Sequence, residues 1–107
     1  MEASEGTFGL FELSSDGTVL YSRAGQDGAL MIGRDFFREV AAFENKEDLR
    51  HHFRRFLGSS RPVDSFGFDC EYGERSVHTK ITMTRGQERA EEYTANIVIM
   101  DIKQLSI

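Results

Sequence analysis

The 107-residue sequence has no tryptophan, one proline and one cysteine, and its 13 Lys and Arg are outnumbered by 18 Asp and Glu. Each shortage excludes something. A lone cysteine, Cys70, rules out an intrachain disulfide and any multi-Cys zinc cluster, and it fits a reducing cytoplasm. A formal net charge of -5 lacks the basic excess that general nucleic-acid binders use to displace counterions, and it disfavours anionic membrane surfaces likewise. No uninterrupted apolar run, Ile97 to Met100 included, approaches the roughly 18 residues that cross a bilayer. The acidic start Met-Glu-Ala-Ser-Glu has none of the character of a secretory signal. Repeats, low-complexity tracts, a Ser-His-Asp set, a phosphate-cradling glycine loop and paired carboxylates are likewise absent from the sequence, so the expectation is that the protein is not an enzyme.

What the sequence does have is apolar patterning. With 39% hydrophobic residues and 9 Phe, the chain can bury one two-layer core as a single domain. Residues Thr7 to Leu13 alternate, Asp16-Gly17 supplies a tight turn, and Thr18 to Ser22 returns with Val19 and Tyr21 on one face and Leu20 on the other. From Gly33 the period lengthens: Phe36, Phe37, Val40, Ala41 and Phe43 predict a short helix. Asn45 and Asp48 have the spacing of an N-terminal cap, and Leu49, Phe53, Phe56 and Leu57 predict a second helix over about Lys46 to Leu57. Gly58 and Pro62 end it. Phe66, Phe68, Cys70 and Tyr72 alternate, Gly73-Glu74 turns, and Val77, Thr79, Ile81 and Met83 alternate again. A charged loop, Gly86 to Glu92, precedes a last strand, Tyr93 to Lys103, whose apolar stretch predicts a central position. The economical assembly is α+β: a five-stranded antiparallel sheet with the last strand beside the first and helices covering one face.

This order of elements resembles a PAS domain, over about Phe8 to Lys103. Ile32-Gly33-Arg34-Asp35-Phe36-Phe37-Arg38-Glu39-Val40-Ala41 resembles the Ile-Gly-x-x-Phe-Phe-x-x-Val-Ala segment of the photoactive yellow protein-like PAS family. Phe8-Gly9, Asp16-Gly17 and Leu49-x-x-x-Phe53 follow in similar register, and Val98-Ile99-Met100-Asp101-Ile102 resembles the strand that leads into a signalling helix. The resemblance implies one PAS domain over 1–107, with a core of about 7–103 and flanking segments 1–6 and 104–107. Departures from the family matter as much. Where it carries the chromophore-binding cysteine, two places after the Val-Ala pair, this chain has Phe43, so p-coumaric acid photochemistry is not expected. Its pocket tyrosine and glutamate align with Ser22 and Gln26. About six residues are missing between Gln26 and Ile32, which leaves less room for a ligand. The Asn-Cys-Arg-Phe motif of flavin-binding light sensors is also absent.

Candidate residues follow from both readings. A cavity between helices and sheet would be lined by Phe11, Ser22, Gln26, Phe37, Phe43, Phe53, Phe66 and Ile99, and would take a small apolar or aromatic ligand. Cys70, flanked by Asp69 and Glu71, is read as a packed thiol rather than a reactive one. His51 points to solvent, whereas His52 borders the apolar face of the second helix and is a weak candidate for haem; family alignment puts Leu49 at that ligand position. His78 is read as a sheet-face residue, with no second histidine or carboxylate at ligand spacing, and no metal site is expected. Arg50, Arg54, Arg55 and Arg61 read as a solvated basic helix face. On the far side of the sheet, Val98, Met100 and Ile102 are expected to be exposed if Ile97 and Ile99 point inward, forming an apolar interface. The leading expectation is a non-catalytic, bacterial-type, cytoplasmic sensory and signal-transduction module without a cofactor. It would act as a homodimer or by docking to an output domain, with neither nucleic acid nor membrane as partner. The alternative is a sensor that binds a small apolar ligand, or less favourably haem, in the cavity.

Overall fold

The computed structural model describes residues 8–24, 28–89 and 94–105. The alternating N-terminal segment forms a hairpin of β1 (Gly9–Ser14) and β2 (Val19–Arg23). Its turn closes in both directions, with the Gly17 amide donating to the Ser14 carbonyl and the Ser14 amide donating to the Thr18 carbonyl, both at 2.9 Å. Gly17 adopts φ +92°, and a Cβ there would lie 3.3 Å from the Phe37 ring, so both backbone and space require glycine. The Ser14 hydroxyl, together with Thr18, holds the exposed Asp16 carboxyl below its usual range. An irregularity between Glu12 and Leu13 brings Val19 opposite Leu13. Val19 is therefore buried while Tyr21 faces out, which corrects the expectation that the two share a face.

Between β2 and the main helix, a 3-10 turn at Gly28–Met31 comes first, and the short helix expected from Gly33 onward shrinks to a π-helical turn at Phe36–Val40. The Asp35 carboxylate caps the latter by accepting from the amides of Phe37 and Arg38, at 3.0 and 3.1 Å. One wide turn buries Phe36 and Phe37 consecutively. The chain then leaves in extended conformation at Ala41, which carries Phe43 inward.

Helix α1 spans Lys46–Leu57, as its apolar spacing predicts, and buries Leu49, Phe53 and Phe56. Its ends differ from expectation. Asn45 makes no side-chain cap. Its amide nitrogen donates to the Asp69 carbonyl at 2.8 Å and its amide oxygen accepts from the Glu71 amide at 3.1 Å. Beside it, the Glu44 amide donates to the Glu71 carbonyl at 2.7 Å. Residues 44–45 thus cover part of a strand edge that would otherwise invite pairing. Gly58 ends the helix in right-handed, not left-handed, conformation, at φ −82°.

Strand β3 (Val63–Tyr72) turns through Gly73 into β4 (Arg75–Arg89), which pairs with β5 (Thr94–Gln104). β4 continues through Gly86 to Arg89, so the N-terminal part of the expected charged loop is strand; 90–93, including Tyr93, lie outside the described residues. The five strands run in the order β2-β1-β5-β4-β3, every neighbouring pair antiparallel, as expected from a central last strand. Cross-strand register gives the inner face in rows. Ser22, Phe11, Met100, Met83 and Asp64 form one; Ile102, Ile81 and Phe66 form the next. No helix among the described residues is long and apolar enough to cross a membrane.

Candidate functional site

The inner face corrects the expected orientation of β5. Val98, Met100 and Ile102 belong to the core, Met100 being 0% exposed, so none of them forms an outward interface. Ile97 and Ile99 take the opposite face, and Ile99 therefore cannot line a cavity beneath the helices. The cause is strand parity: Asp101 and Lys103 lie on the same side as Ile97 and Ile99, and charge belongs on the solvated face. That signal is present in the sequence and identifies the outer face.

The remaining cavity candidates meet one another. Phe11 packs edge-on against Phe36 at 4.8 Å and Phe36 against Phe37 at 5.2 Å, while Phe37 meets Phe53 in a tilted contact at 5.1 Å. Phe43 meets Phe68 at 5.9 Å and Tyr72 at 6.3 Å, both edge-to-face. Phe66, half-buried, lies 4.1 Å from the His52 ring. Such pairs add about 0.5–1.5 kcal/mol each beyond the area they bury. Ser22 is half-buried and its hydroxyl donates to the Met31 sulfur at 3.8 Å. Gln26 lies outside the described residues. The Phe43 ring is thus wedged between the 41–45 segment and β3.

Cys70 is fully buried, and desolvation pushes its thiol up to about 11, against the weaker opposing effect of a Thr79 hydrogen bond. It is inert packing. His52 is half-buried in the seam between α1 and β3, its ring tilted 35° to that of Phe66 and its Nδ1 facing the Arg55 guanidinium at 3.3 Å. His78 does have a carboxylate beside it: Asp69, opposite it on β3, lies 2.6 Å from Nδ1. Cross-strand register made this contact, which sequence spacing did not suggest. Among the described residues, no group of three or more His, Cys, Asp or Glu could hold a metal ion. The basic face of α1 is spread thin. Arg50 reaches Glu47 at 3.6 Å and Arg61 reaches Asp64 at 3.4 Å. Glu47 and Asp48 in the first turn and Arg54 and Arg55 in the last complement the helix dipole.

Sequence reading missed Arg85. It lies opposite Val98 on the inner face, and its guanidinium crosses to the end of α1, donating to the carbonyls of Phe56, Ser59 and, at 2.7 Å, Arg61. It also lies 4.5 Å above the Phe56 ring. One cation thus ties the last turn of α1 to the 59–61 segment that follows it.

The outer face carries the other notable surface. One row crosses the whole sheet through Tyr21, Glu12, Ile99, Thr84 and Val63. Tyr21 and Val63, at its ends, are 40% and 45% exposed. Neighbouring rows add Leu10 between Arg23 and Asp101, and Lys103 beside Lys80. The result is a band of apolar area broken by Glu12, between Tyr21 and Ile99, and by Thr84, between Ile99 and Val63, with charges of both signs beside it.

No protein-family model and no curated protein matches the chain. Among solved structures it is similar to the PAS domain of BvgS from Bordetella pertussis, with a TM-score of 0.62 and 10% sequence identity, over 98% of this chain and 82% of that one. With five antiparallel strands in this order and helices on one face, the chain has the PAS fold.

Proposed function

We propose that this domain is a non-catalytic sensory and signal-transduction module of the photoactive yellow protein-like type that has lost chromophore chemistry, and that it works by homodimerisation through the outer face of its sheet. The observation that carries the reading is the contrast between the two faces. Beneath the helices, Phe43 and its neighbours fill with aromatic rings the region where a ligand-binding relative would hold its ligand. On the outside, Leu10, Tyr21 and Ile99 leave an apolar band on a face of the sheet that no helix among the described residues covers. Such a band gains free energy by being covered.

A second copy fits this surface because it carries acids, Glu12 and Asp101, and bases, Arg23, Lys80 and Lys103. A two-fold axis can set each sign against its opposite, as self-complementary dimers require. No cofactor enters this mechanism. Sedimentation tests it: the wild type should sediment as a dimer, and Ile99→Lys as a folded monomer, because the new cation lies opposite Glu12 within its own chain but puts a charge into the apolar part of the interface. A wild-type monomer at high protein concentration would refute the reading.

A further inference from the structure

We propose that the seam between α1 and β3 is a proton-operated latch closed by neutral His52. An arginine side chain has only donors, so the 3.3 Å contact between Arg55 Nη2 and His52 Nδ1 is a hydrogen bond only when Nδ1 keeps its lone pair. The bond therefore selects the neutral ring with its proton on Nε2. That ring lies 4.1 Å from Phe66 at 35° and 6.2 Å from Phe68, joining α1 to β3 through aromatic contact.

Protonation would put N–H against guanidinium, two donors of like charge, inside a partly desolvated seam. Burial and the Arg55 charge, with His51 a smaller contributor, disfavour the cation; Asp64 on β3 and Asp48 on α1 favour it. Of the two opposing carboxylates, Asp64 is itself engaged 3.4 Å from Arg61. A positive ring could gain about 0.5–1 kcal/mol from the Phe66 face. Desolvation and repulsion outweigh that gain, and His52 is held below its ordinary value. The sign follows. The unfolded chain binds the proton more readily than the folded one, so the stability supplied by neutral His52 is complete above the ordinary histidine range. It declines as pH falls through that range towards the folded value. Acid would thus loosen α1 from β3 at Phe66.

Proton NMR of the intact protein tests this, with the urea-unfolded chain as reference, together with amide protection factors at pH 7.5 and 5.5. The latch predicts a titration midpoint for His52 that is lower in the folded than in the unfolded chain, and raised in folded Arg55→Gln. It also predicts loss of protection at the α1–β3 seam, by about two-fold or more on acidification, in the wild type. His52→Phe, which keeps the stack but cannot titrate, should not show that loss. A folded-state His52 midpoint at or above the unfolded one, or equal losses in both proteins, would overturn the proposal. If His52→Phe fails to fold, the wild-type and Arg55→Gln midpoints still decide.

Discussion

Replacing Phe43 with alanine should destabilise the domain by about 3–5 kcal/mol, the usual cost of emptying a core Phe position. The upper part of that range is favoured here for structural reasons. The ring is 1% exposed and makes edge-to-face contacts with Phe68 and Tyr72. The backbone beside it cannot readily sag into the void, because Glu44 and Asn45 are hydrogen-bonded to β3 at 2.7–3.1 Å. Urea unfolding followed by far-UV circular dichroism measures the loss, with an unchanged m-value showing that the two states compared are the same. For a domain of this size the melting temperature should fall by roughly 12 °C or more. A loss below about 1 kcal/mol would refute the reasoning, as would a wild-type protein that carries a bound small molecule which Phe43→Ala releases. Either result would mean that the space beneath the helices belongs to a ligand rather than to the ring.

Other outcomes follow from the same geometry. Met100→Glu should unfold the domain, since it buries an unpaired carboxylate, whereas Ile99→Lys one residue earlier should leave thermal unfolding cooperative. Arg85→Met should cost about 2–4 kcal/mol in urea, because several carbonyls at the end of α1 lose a charged donor together; Arg54→Ala, exposed on the same helix, should stay within about 0.5 kcal/mol. Gly58→Ala should be neutral or stabilising by up to about 1 kcal/mol, since Gly58 is already right-handed and a Cβ would meet nothing closer than 3.7 Å. Cys70 should resist thiol reagents at pH 8 until denaturant is added; rapid labelling of the folded protein would contradict its burial and its pKa of about 11.

The sheet order was legible because consecutive apolar residues at 97–100 place β5 centrally, and short links then leave the hairpin on one side and β3–β4 on the other. Helix α1 was legible from Leu49, Phe53 and Phe56 alone. The face of β5 was harder, since both alternations are apolar at their centre and only Asp101 and Lys103 decide between them. The π-helical turn was hidden because Phe36-Phe37-Val40 fits any helical period over so short a span. Long-range contacts were invisible in principle. Asn45 has the spacing of a cap, yet the nearby β3 edge offers it two backbone partners; Arg85 reaches α1 only because β4 passes under its end.

The central claim, that this fold acts through its outer sheet face with a filled interior, is tested most directly by a native mass spectrum of freshly purified protein. The account predicts a dimer at twice the bare sequence mass, converted to monomer by Ile99→Lys. A monomer carrying additional bound mass would contradict it and return attention to the space between helices and sheet.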